Sequence, residues 1–267
     1  MHQLFLEKNN VSVTYTFYHK VFSFGFNLGF GHPAKDVCAT CVKHKLQMRN
    51  PDLCEDDRRS ASAMFILHRR RARVFYDLMN DVENSVTLCF DMMQNLVLPK
   101  TPIGQAYYSR QLYLYVFGVV HHHGKNSSQT RDDISLYVWL EHQNTKDSNM
   151  IALALNHCLQ GQMNEEVKHM GTLSLFSDSC YGQKKNMNVV SMLCALQSQI
   201  FHNVKMEYVF PVRGYSFLPA DRVFGRIEQE LKKVETILMP DQYTEVRKKH
   251  SHVYVHGVDW QSSDYKS

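Results

Sequence analysis

Ser85–Asn95 reads SVTLCFDMMQN. Val86, Leu88, Phe90 and Met92 alternate with Thr87, Cys89 and Asp91, which predicts a buried β-strand. Its single charge, Asp91, falls at the C-terminal end of that strand, where open sheets place ligands and catalytic groups. A carboxylate on an apolar strand is costly unless something pairs with it. The stretch therefore demands a partner for Asp91.

Working outward, the next apolar runs are LYLYVFGVVH over 112–121 and ISLYVWLEH over 134–142, separated by the turn chemistry of Gly124-Lys-Asn-Ser-Ser and Asp132-Asp133. Asp147 then offers an N-cap to a helix whose apolar stripe is Ile151, Ala154, Leu155, Cys158 and Leu159. A strand over 173–178, a helix over 186–200, a strand over 204–210 and a helix entered through Pro219 follow. The order β-β-β-α-β-α-β-α predicts an α/β fold, a mixed five-stranded sheet with helices on both faces. That is the element order of the ribonuclease H-like fold.

In this order Asp91 ends the first strand and Asp178 ends the fourth, its neighbour in such a sheet. Two like charges this close raise one pKa unless a cation intervenes, and a divalent ion is the usual remedy. Two magnesium or manganese ions roughly 4 Å apart would activate a water or 3′-hydroxyl and stabilise the leaving oxygen of a phosphodiester. Asp221 and Glu228 lie on the last helix, seven residues apart and so within about 20° of each other around its axis. Each acid also has a plain structural explanation. Asp91 and Asp178 suit turns, Asp221 suits the first turn of a helix, and Glu228 suits an i,i+4 pair with Lys232. The matching strand ends favour a catalytic set of Asp91, Asp178, Asp221 and Glu228.

Upstream, Cys38-Ala-Thr-Cys41 follows a proline-containing turn. A Cys-x-x-Cys knuckle aims two sulfurs at one point and forms half of many tetrahedral zinc sites. The remaining ligands would come from His32, His44, Cys54 and His68; two ordinary thiols or a redox pair are the alternatives. Residues 56–80 predict a helix with Met64, Leu67, Arg71, Val74 and Leu78 on its inner stripe. His68-Arg-Arg-Arg-Ala-Arg73 on that helix reads as a solvated face, with a phosphate-contacting surface as the second reading. His121-His-His123 reads as a solvated turn.

The chain has 267 residues, is 44% hydrophobic and 21% charged, and fits a soluble globular protein rather than a disordered one. Its longest apolar run is too short to span a bilayer, and MHQLFLEKNN lacks a signal-peptide core, so a cytosolic or nuclear protein is expected, with no membrane partner. Seven cysteines, an odd number, argue for reduced thiols rather than a disulfide framework. A net charge of +4 permits a nucleic-acid partner without demanding one. The aromatic-rich residues 1–30 read as partly packed core or an exposed patch. No small-molecule cofactor motif is expected.

FDMMQN, FSDSCYGQKKN and FPVRGYSFLPADRVFGRIE together resemble a group of transposon-derived eukaryotic proteins with a ribonuclease H-like, DDE-type transposase core. FGHPAKDVCATC and the helical His68 followed by basic residues resemble the same group's N-terminal segment. The resemblance implies metal-binding roles for Asp91, Asp178 and Asp221, with Gln183 and Asn186 as polar neighbours and zinc at Cys38, Cys41 and His68. It also implies DNA as partner, a nuclear location and assembly as a homo-oligomer. Such proteins carry Gly-His-Ser where this chain has Gly214-Tyr215-Ser216, and tyrosine is a poor general base near neutral pH. The expected layout is a helical zinc segment over 1–82, the core over 83–240 and a truncated tail over 241–267. The expected activity is metal-dependent DNA cleavage and strand transfer, or its domesticated alternative, an inactive core that binds DNA or protein.

Overall fold

The computed structural model describes residues 1–26 and 37–261. Two compact units, Met1–Val37 and Cys38–Ser267, divide the chain. The first holds α1 (His2–Asn9) and α2 (Tyr15–Gly25), the latter capped by the Thr14 hydroxyl, which accepts from the Phe17 amide. His2 and Phe5 set their rings against Tyr18, yet no residue of either helix is buried. The described part of the aromatic run, residues 1–26, therefore forms two small helices with no buried residue; the remainder lies outside the described residues.

The second unit begins with α3 (Ala39–Arg49) and α4 (Glu55–Asn80), then β1 (Val86–Met92), β2 (Leu96–Leu98), α5 (Gly104–Tyr107), β3 (Leu112–His121) and β4 (Ile134–Leu140). It continues with α6 (Ser148–Gln160), α7 (Asn164–Met170), β5 (Thr172–Phe176), α8 (Met187–Gln199) and β6 (Lys205–Val209). It closes with α9 (Pro219–Lys233), α10 (Pro240–Lys248) and β7 (His252–Val255). The boundary falls before Cys38 rather than at 82, so α3 and α4 belong with the sheet.

The sheet runs β6-β5-β1-β3-β4-β7, with β2 paired to β3. β1, β3 and β4 are antiparallel to their neighbours in that series, while β5 and β6 add in parallel on the other side of β1. Among the described residues seven strands stand where five were expected. The extra two are short: β2 returns along β3, and β7 lies parallel to β4 at the sheet's edge. The expected tail therefore supplies α10, β7 and the buried Trp260.

Alternation within β1 decides what lies on each face. Val86, Leu88 and Phe90 join the larger core beneath α6 and α8, with Phe117, Trp139, Leu155 and Leu196. On the opposite face, Cys89 packs with Phe75, Met79, Phe176 and Leu218, beside a core built from α9 and α10. Helix α4 turns Ala61, Ala72, Phe75 and Met79 inward and leaves Met64, Leu67, Val74 and Leu78 exposed. This reverses the expected stripe, because α4 carries apolar residues around most of its circumference and small alanines permit the closer approach.

Arg247 of α10 is fully buried over the Tyr243 ring, 5.5 Å from its centroid, and none of its guanidinium nitrogens has a hydrogen-bond partner among the described residues. Burial pushes its pKa down to about 9. A buried charge without a counter-ion is a net cost, so Arg247→Met is expected to stabilise the chain by about 1–4 kcal/mol. A lower melting temperature for that variant would show that the guanidinium is paired in solution.

Candidate functional site

β1 and β5 are parallel, with Cys89 opposite Phe176, and two residues further along each chain stand Asp91 and Asp178. Asp178 lies just past the last residue of β5 and not within it. Opposite Asp91 on β3 is Gly118, where a Cβ would come 2.8 Å from the Phe224 ring of α9. The absent side chain lets α9 lie flush on the sheet, and Asp221 sits one turn before Phe224. Asp221 accepts a hydrogen bond from the Leu218 amide at 2.7 Å, so it also caps its own helix.

The partner that Asp91 demands is Lys184. Its Nζ donates to Asp91 Oδ1 and lies 2.7 Å from Asp178 Oδ1, while its side chain is only 1% exposed. The loop after β5 is wound to deliver it. The Cys180 carbonyl accepts from the amides of Gln183, Lys184 and Lys185, and the Cys180 amide donates to Asp178 Oδ1 at 3.3 Å. Tyr208 of β6 donates its hydroxyl to the Lys184 carbonyl at 3.0 Å and meets Ser177 Oγ at 2.9 Å.

Burial raises the pKa of Asp91; the Lys184 charge opposes that shift and the Asp178 charge adds to it. Burial likewise raises Asp221, with the Leu218 amide opposing and the charges of Asp91 and Asp178 adding. The three acids thus share one field, with the Lys184 ammonium set between Asp91 and Asp178. Lys146 stands nearby, donating to Asn95 Oδ1 at 2.8 Å, its pKa lowered by burial and then by Lys184.

The other expected residues fall elsewhere. Among the described residues the Glu228 side chain on α9 makes no hydrogen bond or ion pair, and the Gln183 side chain makes no hydrogen bond. Asn186 is the N-cap of α8, accepting from the Asn188 amide at 3.0 Å, rather than a neighbour of the acids. The Tyr215 side chain meets Cys41 and His68 instead, and among the described residues it makes no hydrogen bond to the acids.

Cys38, Cys41 and His68 do come together, with one potential ligand atom from each lying within 4.8 Å of the others. Cys38 Sγ is 3.1 Å from His68 Nε2, and Cys41 Sγ is 3.1 Å from the Tyr215 hydroxyl. Of the other expected ligands, His44 pairs with Gln47 at 3.1 Å, and Cys54 is exposed and caps α4. His32 lies outside the described residues.

His121 and His122 are buried rather than solvated. His122 meets Asn80 Oδ1 at 3.0 Å, and burial pushes its pKa down to about 4. His123 pairs with Asp133 at 2.7 Å, and with His121 these form a second group of metal-type donors.

A family profile described as "Domain of unknown function (DUF7869)" matches residues 105–266, more than half of the chain. The chain belongs to this family. No curated protein and no solved structure matches it. The DUF7869 span contains Asp178, Lys184, Tyr215 and Asp221, whereas Asp91 and the Cys38–Cys41–His68 group precede it. The three acids thus come from inside and outside the DUF7869 span, and Tyr215 of the span reaches the cysteine group that precedes it.

Proposed function

We propose that this chain is a ribonuclease H-like, transposase-type core that cleaves and joins DNA phosphodiesters with magnesium or manganese held by Asp91, Asp178 and Asp221. The observation that carries this is the convergence of Asp91 and Asp178 on one cationic position, with Asp221 in the same field. The strand order supports the fold reading: three antiparallel strands, then two added in parallel beyond the first, with acids where the strands end. The donors are all carboxylate oxygens, a set that suits hard divalent ions. Once bound, such an ion supplies activation of the attacking oxygen and stabilisation of the leaving one. The chain's own part is to hold the acids rigidly on β1 and α9, and to keep Lys184 as the charge that balances them before an ion arrives.

A groove of about 430 Å³ on the same unit supports a DNA partner. It is lined by Arg69, Arg70 and Arg73 with Tyr76 and Tyr215, a combination of phosphate-binding cations and stacking rings. Among the described residues no helix is long and apolar enough to cross a membrane. A nuclear location, homo-oligomeric assembly and structural zinc at Cys38, Cys41 and His68 belong to the same proposal.

One observation favours the domesticated alternative. A fully buried ammonium already bridges two of the acids, as it would in a core that binds DNA or protein without cutting. Calorimetry with manganese and magnesium separates the two readings. Micromolar binding by the wild type, lost in Asp91→Asn and in Asp178→Asn, is expected. A folded wild type that binds neither ion would sink the catalytic reading and leave the binding module.

A further inference from the structure

Cys38 and Cys41 open α3, each 7% exposed, and His68 projects from α4 to meet them. Three donors leave a tetrahedral zinc ion one ligand short. The chain closes over the open side with the loop between β6 and α9. Gly214 there adopts φ +87°, and a Cβ at this position would lie 2.7 Å from Cys38 Sγ, so the backbone is pressed directly against the knuckle. The Arg213 carbonyl stands 3.7 Å from the same sulfur. Next along the loop, the Tyr215 hydroxyl reaches Cys41 Sγ at 3.1 Å, and its ring lies 5.5 Å from that of His68.

We propose that the phenol oxygen of Tyr215 is the fourth ligand of a zinc ion held by Cys38, Cys41 and His68. The inference rests on taking that group as a zinc site. In a tetrahedral site with Zn–S of about 2.3 Å and Zn–N or Zn–O of about 2.0 Å, neighbouring ligand atoms stand roughly 3.5 Å apart. The Cys38–His68 and Cys41–Tyr215 contacts, both 3.1 Å, are close to two opposite edges of such a tetrahedron. Among the described residues, the two other candidates are engaged elsewhere: His44 is held by Gln47, and Cys54 by Asp57.

This assignment gives the site a task beyond fixing α3 to α4. Tyr215 lies six residues before Asp221, and Leu218 between them is fully buried against Phe75 and Met79 of α4. The Tyr76 hydroxyl also donates to the Tyr215 carbonyl at 3.4 Å. A four-ligand ion would therefore fasten the loop that sets the start of α9, and with it Asp221.

The test uses the full chain, with bound zinc measured by elemental analysis, zinc affinity by chelator competition, and the cobalt-substituted spectrum as readout of the ligand set. The wild type is expected to hold one zinc. Tyr215→Phe keeps the ring but removes the oxygen, and is expected to lose zinc affinity at least tenfold and to shift the cobalt d–d bands. Tyr215→His is expected to restore affinity with a third, nitrogen-shifted spectrum. A folded Tyr215→Phe chain with wild-type affinity and spectrum would overturn the fourth-ligand assignment while leaving the three-residue zinc site standing. If Tyr215→Phe does not fold, Tyr215→His decides, since an unchanged cobalt spectrum there excludes residue 215 from the ligand set. A folded wild type that takes up no zinc would overturn the site itself.

Discussion

Lys184→Met is expected to lose about 3–5 kcal/mol of folding stability at pH 7, the usual consequence of removing one partner of a buried ion pair. The side chain is buried and stands between two carboxylates, with Asp221 adding a third charge to the same field. Methionine fills much of the volume but leaves Asp91 and Asp178 facing each other, each two residues beyond the last paired residues of β1 and β5, Cys89 and Phe176.

Two further measurements on that variant separate electrostatics from packing. Asp91 already has a raised pKa with Lys184 present, and removing the lysine raises it further. A carboxyl whose pKa in the folded state exceeds the unfolded value stabilises the fold below the unfolded value, and that contribution disappears as pH rises through the folded one. The Lys184→Met deficit should therefore shrink as pH falls from 7 towards 4, whereas a packing defect would not follow pH in that direction. Millimolar manganese should also raise the variant's melting temperature more than the wild type's, because binding to the folded state alone stabilises by mass action. A variant whose deficit ignores both pH and manganese would show that Lys184 acts through its hydrocarbon stem, and that the acids form no ion site.

The strands and helices that carry the acids were legible because their patterns are local. β1, β3 and β4 are apolar runs bounded by turn residues, α6 announces itself through Asp147, and α9 through Pro219 and its apolar face. β7 has only four residues, all partly buried, and exists because β4 offers it an edge to pair with. The span of α4 is legible in the sequence but its inward face is not, since Phe65, Ile66, Leu67, Val74 and Leu78 blur its period. Lys184 had no signal at all. It sits in the polar run Gln183-Lys-Lys-Asn186, where lysine is ordinarily exposed, and only the winding of the loop around the Cys180 carbonyl turns one of two adjacent lysines inward. Tyr215 was visible but misplaced. Sequence put it near the acids, whereas the loop's path over Cys38 gives it to the cysteine group.

If the Cys38–Cys41–His68 group holds zinc as proposed, removing the ion is expected to unfold α3 and leave the sheet standing. Among the residues of α3 only Cys41 is buried, so the helix brings almost no apolar area to either core. Eleven residues are too few to hold a helix in water without tertiary support. Its anchors are α4 and the Cys38–Cys41–His68 group, and structural zinc sites typically contribute about 10–16 kcal/mol of binding energy to the fold around them. A chelator, or His68→Ala, should abolish hydrogen-exchange protection across Ala39–Arg49, while β1, β3 and β5 keep theirs. The loop over Gly214 and Tyr215 should lose protection in step, and manganese affinity at the acids should weaken because Asp221 begins the helix which that loop leads into. Unchanged protection of α3 after chelation would mean that α4 alone holds it, and that the two cysteines are ordinary buried thiols. Loss at α3 with manganese binding unaffected would confine the site to its own corner of the molecule, with α9 held by Phe224 and Ile227 against the sheet.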